Sequence, residues 1–251
     1  MINVALNGCL GKMGMVLINS ISRDPDFNLV AGIDKKTDIS LSFPVYNNPL
    51  DIKEKVDVII DFSRPESLND LLSYAKNSKT ALVIATTGYS NEELDDILKA
   101  SKDIPIFHSS NMSIGVNLIL DLVKIATKAL SGFDIEIIEK HHNKKVDAPS
   151  GTALMIANEI KSALNDECEF NYGRYGKDAK RNESEIGIHA VRGGTIVGEH
   201  STIFAGPDEI VEINHMALSK EVFAEGAKKA AKFIVTKQAG YYNMKNMINT
   251  L

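Results

Sequence analysis

The 251-residue sequence predicts an α/β protein: a doubly wound parallel sheet joined to an α+β domain with a mixed sheet. Three observations predict it. Up to about residue 112, short apolar runs alternate with helical patterns, as in a parallel sheet covered on both faces. From 113 to 218 the strand-like runs follow one another through turns, which implies mixed or antiparallel pairing. A last segment, 219–251, opens with an amphipathic helix that would return to the first domain.

The elements follow in order. Ile2 to Leu6 reads as a strand, Lys12 to Ser22 as a helix and Asn28 to Ile33 as a second strand. Val56 to Asp61 is a third strand, with a helix starting near Pro65. Ala81 to Ala85 is a fourth, and Ser90-Asn-Glu-Glu93 is a capping box that opens the next helix. Ile104 to Phe107 is the fifth. Gly115 to Leu130 is a long helix, and the alternating Asp134-Ile-Glu-Ile-Ile-Glu139 is a half-buried strand. A helix begins at Thr152. Ile186 to Val191, Thr195 to Phe204 and Glu209 to His215 are strands, and Arg192-Gly-Gly-Thr195 is expected to close a hairpin between the first two. Asp166 to Glu185, polar and with two glycines, reads as a loop. Ser219 to Lys237 is the last helix.

Composition narrows the function. Hydrophobic residues make up 44% and charged residues 24%, ordinary for a globular protein. The net charge of -5 and the lack of a basic run argue against nucleic acid or an anionic membrane as partner. Ala81-Leu-Val-Ile-Ala85 is far too short to span a bilayer, and no signal peptide is expected. Cys9 and Cys168 lack metal-ligand spacing and read as reduced thiols of a cytoplasmic protein. No metal site is expected.

The densest chemistry lies in Glu139-Lys-His-His-Asn-Lys-Lys-Val-Asp-Ala-Pro-Ser-Gly-Thr152. A strand runs into a donor-rich loop, and the loop runs into a helix N-terminus whose N–H groups favour an anion. Ser150 is the expected N-cap, and Gly151 lets a ligand approach the backbone. Lys144 and Lys145 add positive charge. A carboxylate or phosphate substrate belongs here, with a histidine beside it as acid or base. Asp147 would brace the loop.

A second constellation, Gly8-Cys-Leu-Gly11-Lys-Met-Gly14, joins the first strand to the first helix. Glycines there allow close backbone approach to a pyrophosphate, in a Rossmann-like arrangement. Leu10 stands where the fingerprint has its middle glycine, so a tight turn without a ligand is the competing reading. Asp34 ends the second strand, about twenty residues on, where an acid meets the ribose 2′-hydroxyl. Lys35 and Lys36 follow and suit a 2′-phosphate, so NADH and NADPH both remain open. Ala85-Thr-Thr-Gly88 and Ser109-Ser-Asn-Met112 end further strands, at the edge that borders the ligand crevice in such sheets.

Taken together, these segments resemble the dihydrodipicolinate reductase family, along essentially the whole chain. The resemblance is most specific at Glu139 to Ala153, and is also found at Ala85–Gly88, Asn111–Asn117 and Val197–His200. It implies NAD(P)H-dependent reduction of 4-hydroxy-tetrahydrodipicolinate to tetrahydrodipicolinate in the diaminopimelate–lysine pathway. It implies His141 as proton donor and Lys145 as the second catalytic residue, with His142, Gly151 and Thr152 binding the carboxylates of a small dicarboxylate. Gly8, Cys9, Leu10, Gly11, Lys12, Met13, Asp34, Lys35, Ala85, Thr86, Thr87, Ser109, Ser110, Asn111 and Met112 would line NADH or NADPH. It also implies a homotetramer built through the second domain's sheet. Three residues depart from the family pattern: Leu10 replaces a glycine, and Lys12 and Lys220 replace arginines. A homoserine- or aspartate-type dehydrogenase and a non-catalytic cofactor sensor are the alternatives.

Overall fold

The computed structural model describes residues 1–37 and 40–250. In chain order its elements are β1 (Ile2–Asn7), α1 (Lys12–Ile21), β2 (Phe27–Ile33), β3 (Val45–Tyr46), β4 (Val58–Asp61), α2 (Leu68–Ser78), β5 (Ala81–Ile84), α3 (Asn91–Ala100) and β6 (Pro105–His108). Then come α4 (Ile114–Ala129), β7 (Asp134–His141), α5 (Gly151–Ala163), β8 (Glu169–Asn171), β9 (Glu185–Arg192), β10 (Gly198–Ala205) and β11 (Ile210–Ala217). The chain ends in α6 (Glu221–Ile234), β12 (Gly240–Tyr242) and α7 (Met244–Ile248). They form two compact units, Met1–Ile114 with Lys220–Leu251, and Gly115–Ser219.

The first unit is a seven-stranded sheet in the order β12-β6-β5-β4-β1-β2-β3, parallel throughout. Strand pleating sorts its residues to two cores. Val4, Leu6, Val58 and Ile60 face one core with Leu17 of α1 and Ala224, Ala227 and Ala231 of α6. Ala5 and Ile59 face the other with Leu71, Leu72 and Ile97 of α2 and α3. Burial on both faces explains why β4 and β5 read as continuous apolar runs. The Ser90 capping box is present, with Glu93 N–H donating to Ser90 Oγ at 3.2 Å and Ser90 N–H to Glu93 Oε2 at 2.7 Å. The helix near Pro65 begins as a tight turn, Pro65–Ser67, before α2. The short strands β3 and β12 and the helix α7 carry too few residues to show a period, and the sequence reading had not separated them.

The strand order reverses between β1 and β4, so the carboxyl ends of these strands flank the topological switch point. Gly8 lies there at φ +77°, and a Cβ on it would come within 2.7 Å of the Phe62 carbonyl oxygen. Only glycine satisfies both conditions.

The second unit is a five-stranded mixed sheet, β11-β10-β7-β9-β8. One face carries Ile135, Ile137, Ile186, Ile188 and Phe204 against Val123 of α4 and Ile156 and Ile160 of α5. The expected hairpin between β9 and β10 is not formed. Strand β7 lies between them, parallel to β9 and antiparallel to β10. The turn after Arg192 spans the two interstrand spacings, roughly 10 Å, and crosses the end of β7. Gly193 N–H donates to the His141 carbonyl at 2.9 Å, and Asn143 N–H to the Gly194 carbonyl at 3.2 Å. The segment read as a loop from Asp166 to Glu185 contains β8, which pairs parallel to β9.

Candidate functional site

In the first unit the glycine loop satisfies most of its own donors. Gly8 and Cys9 N–H groups both reach the Ile33 carbonyl, at 2.9 and 3.3 Å, and Gly11 N–H reaches the Gly8 carbonyl at 3.0 Å. Leu10 N–H donates to Asp34 Oδ2 at 3.0 Å, while Lys35 N–H donates to Asp34 Oδ1 at 2.8 Å. Cys9 turns inward, fully buried, and packs so close to Gly32 that a Cβ there would sit 2.6 Å from its Sγ. Burial, followed by the nearby Asp34 charge, pushes the Cys9 thiol up to about 11. What the loop leaves uncapped is the start of α1. Gly11 is its N-cap and offers no side-chain acceptor to the first turn at Lys12 and Met13. The residues fit a diphosphate here: uncapped donors at a helix N-terminus, reached across a cap without a side chain.

Asp34 follows the end of β2 beside this loop, with Lys35 and Lys36 exposed after it. Ala85 and Thr86 are buried at the end of β5, and Thr87 and Gly88 are exposed beyond them. After β6, Ser109 Oγ donates to the Asn111 carbonyl at 2.8 Å, and Asn111 Oδ1 accepts from Ser113 N–H at 2.9 Å. Ser110 is exposed and Met112 is buried. Gly226 of α6 packs so tightly on Met112 that a Cβ would overlap the Met112 carbonyl oxygen at 1.7 Å. Lys12 and Lys220 are both exposed.

The same strand edge holds a polar cluster that sequence reading missed. Asp61 is fully buried and accepts from Asn7 Nδ2 at 2.9 Å, Ser63 N–H at 3.2 Å and the Tyr89 hydroxyl at 3.3 Å. Ser63 N–H also donates to Thr86 Oγ1 at 2.9 Å. Burial raises the Asp61 carboxyl above its usual range, against the opposing effect of these hydrogen bonds. The signal was available: a carboxylate closing the apolar run Val58-Ile-Ile60.

In the second unit, alternation along β7 puts Ile135, Ile137, Glu139 and His141 on one face. The first two enter the core, and the last two emerge as a polar site. Glu139 is fully buried and saturated with donors. Arg192 reaches its two oxygens at 2.6 and 2.8 Å, and Ser150 N–H donates at 2.9 Å. His141 Nδ1 lies 2.6 Å from Glu139 Oε2. Burial works against the Glu139 charge, but the hydrogen bonds outweigh it and hold the carboxyl below the usual range.

His200, opposite Glu139 in the β7–β10 register, packs edge-on to His141 with ring centroids 5.3 Å apart. Its Nε2 lies 3.0 Å from Ser150 Oγ, which caps α5 by accepting from Ala153 N–H at 3.2 Å. Burial, then the neighbouring His141, pushes His200 down to about 4. Lys145 and His215 act on the same ring. Lys145 Nζ pairs with Asp147 Oδ1 at 2.8 Å, and this hydrogen bond holds the Asp147 carboxyl low. The Asp147 carbonyl accepts from Arg192 at 2.8 Å, so Asp147 braces the loop at both ends. His142 Nδ1 is buried without a hydrogen-bond partner among the described residues. Gly151 opens α5, and a Cβ on it would meet nothing within 4 Å, so ligand atoms have room at that helix start. Thr152 follows in the first turn.

The arrangement thus brings together His141, His142, Lys145 and the α5 start, and adds Glu139, Ser150, Arg192 and His200. Glu139 and Arg192 were not singled out from sequence. Arg192 reaches Glu139 only because β9 pairs with β7, which the expected hairpin had obscured.

Comparison with known proteins agrees along the chain. Residues 2–112 match the family model "Dihydrodipicolinate reductase, N-terminus" and residues 115–248 match "Dihydrodipicolinate reductase, C-terminus". The 4-hydroxy-tetrahydrodipicolinate reductase of Caldanaerobacter subterraneus subsp. tengcongensis is 54% identical over 248 residues, covering 99% of this chain and 98% of that protein. The Clostridium novyi protein of the same name is 51% identical over 251 residues, with 100% and 99% covered. In fold, the chain resembles a dipicolinate-bound dihydrodipicolinate reductase from Paenisporosarcina sp. TG-14, with a TM-score of 0.80 at 24% identity and all of both chains covered. It also resembles myo-inositol 2-dehydrogenase from Lactobacillus plantarum, with a TM-score of 0.63 at 12% identity, covering 98% of this chain and 93% of that one. The chain belongs to the dihydrodipicolinate reductase family and is an oxidoreductase with that family's reductase function in diaminopimelate and lysine biosynthesis.

Proposed function

We propose that the chain reduces 4-hydroxy-tetrahydrodipicolinate to tetrahydrodipicolinate, with NADH or NADPH as reductant and His141 as proton donor. The observation that carries this reading is the buried Glu139 carboxylate 2.6 Å from His141 Nδ1. The family and its Rossmann-like unit imply a nicotinamide cofactor, which when bound in reduced form supplies a hydride to ring C4. Loss of the C4 hydroxyl as water first leaves a conjugated imine-like acceptor, and the hydride converts it to an enamine. His141 gives one proton to the enamine carbon, whose electron pair forms the new C–H bond. Lys145 fixes a ring carboxylate and stabilises negative charge. His142, Gly151 and Thr152 hold carboxylate oxygens. The dicarboxylate class is supported by the dipicolinate bound to the Paenisporosarcina relative.

Lys12 and Met13 at the start of α1 would hold the diphosphate. Asp34 would accept from the ribose, and Lys35 would meet a 2′-phosphate. Ala85 to Thr87 and Ser109 to Met112 would face the nicotinamide half, at the strand edge expected for it. That Asp34 is followed by two lysines supports use of both cofactors. A homotetramer is supported by the face of the five-stranded sheet opposite its helices, which carries Val191, Ile210 and Met216 exposed at 44%, 65% and 59%. A cytoplasmic setting is supported by the two unpaired, buried cysteines. Among the described residues no helix is long and apolar enough to cross a membrane.

The test is a coupled assay in which substrate forms in situ from pyruvate and aspartate semialdehyde while nicotinamide absorbance is followed. His141→Gln should lower kcat by about 10²–10⁴-fold with cofactor affinity retained. Lys145→Ala should lower kcat and raise KM together, since bound and reacting substrate both lose a contact. Near-wild-type turnover in both variants would overturn the assignment.

A further inference from the structure

Two observations around His141 concern how the ring is held rather than what it does. Its Nδ1 is taken by Glu139 at 2.6 Å, on a carboxylate that is itself fully buried. Its Nε2 faces Gly198, where a Cβ would lie 3.0 Å away, so the missing side chain keeps that nitrogen open. The main chain is fixed too, through Gly193 N–H on the His141 carbonyl. Glu139 in turn cannot swing away. Arg192 from β9 holds both its oxygens and Ser150 N–H from the α5 start holds one. Three groups converge on that carboxylate, each carried by a different segment: His141 on β7, Arg192 at the end of β9 and Ser150 N–H in the loop to α5.

We propose that Glu139, clamped by Arg192, is a positioning residue for His141: it keeps one ring hydrogen on Nδ1 and so makes Nε2 the nitrogen that gives up the proton. The inference rests on the assignment of His141 as proton donor. Before transfer both ring nitrogens carry hydrogen, and the carboxylate lies against the positive ring. During transfer the Nε2–H bond breaks, its electron pair stays on nitrogen, and the enamine pair takes the proton. The ring left behind is the neutral tautomer with hydrogen on Nδ1, still directed at Glu139, and solvent returns the proton to Nε2. With no acceptor at Nδ1 the ring could turn or adopt the other tautomer, and its proton would no longer face the substrate.

The experiment is a double-variant cycle on the full-length enzyme, comparing Glu139→Gln, His141→Gln and the pair. Glu139→Gln should lower kcat by at least about tenfold and by no more than the ~10²–10⁴-fold of proton donation itself. Binding of NADH and of dipicolinate, followed by fluorescence, should stay within threefold of wild type. Added to His141→Gln, Glu139→Gln should cost nothing further, because its effect runs through that ring. Arg192 is partly exposed, so Arg192→Gln provides the same cycle if the buried Glu139→Gln does not fold. Arg192→Lys should then recover part of kcat. Multiplicative losses in the pair, or wild-type kcat in Glu139→Gln, overturn the proposal while leaving His141 as donor. Wild-type turnover in His141→Gln removes the donor assignment itself, and the proposal with it.

Discussion

At Asp34 a single carboxylate serves two backbone donors, one in the glycine loop and one at the start of the lysine pair. In the proposed cofactor-binding role of Asp34, recognition of the ribose and the shape of the glycine loop would be coupled through this one side chain. Leu10, whose side chain departs from the glycine pattern, contributes its N–H to that coupling and packs its side chain on the core. His200 illustrates the opposite use of a titratable group. Its folded-state value of about 4 lies below the ordinary 6.5, so the buried ring is neutral where an unfolded chain would bind a proton. The sign follows: stability from keeping this ring neutral is complete above about 6.5 and is lost as pH falls toward 4. The groups facing it are His141, Glu139, His215, Lys145 and the Ser150 hydroxyl. The melting temperature should therefore fall between pH 6.5 and 4.5 in wild type, and fall less in His200→Gln. Parallel curves for the two proteins would show that another group governs this range.

At the scale of elements, α6 is seated by its smallest residue. Gly226 lies where any side chain would overlap the Met112 carbonyl oxygen, so the helix fixes the segment that follows β6. Gly226→Ala forces the helix and that segment apart, at a cost of about 1–3 kcal/mol or more for overpacking. It should lower both the melting temperature and the affinity for nicotinamide nucleotide; an unchanged melting temperature would mean the contact is not rigid. The alanine spacing of α6 was legible in sequence, because a helix that buries one stripe must repeat it near 3.6 residues. So were the five parallel strands, whose burial on both faces leaves continuous apolar runs. The partners of β7 were not legible. Arg192-Gly-Gly-Thr195 has the composition of a hairpin turn, and nothing local records that β7 occupies the space between β9 and β10. For the same reason the histidines could be singled out and the Glu139–Arg192 pair could not. A residue's type is local, but the pairing that brings two ion partners 53 positions apart into contact belongs to the sheet.

For the whole molecule the unresolved balance lies on the second sheet. Its helix-covered face holds a closed core, while its other face presents Ile138 and Ile203, partly buried, beside the more exposed Val191, Ile210 and Met216. These alternate with Glu136, Lys140, Glu199 and Glu212, so the face is apolar in places and charged in others. Single exposed apolar residues need no explanation, but several on one sheet face suit the association surface proposed above. A self-complementary interface would place Ile210 and Met216, which share a face of β11, against the equivalent strands of another copy. Burying a side chain of that size contributes roughly 1.5–3 kcal/mol relative to leaving it exposed, and symmetry repeats each contact. The double variant Ile210→Glu, Met216→Glu introduces charges of one sign that cannot pair with each other across the interface and would have to be buried. Light scattering should show a tetramer for wild type and a smaller species for the variant at micromolar concentration. Both substitutions lie away from the core face, so the monomer's own melting transition should be retained. A variant that remains tetrameric would move the interface elsewhere, and a wild-type monomer would remove it.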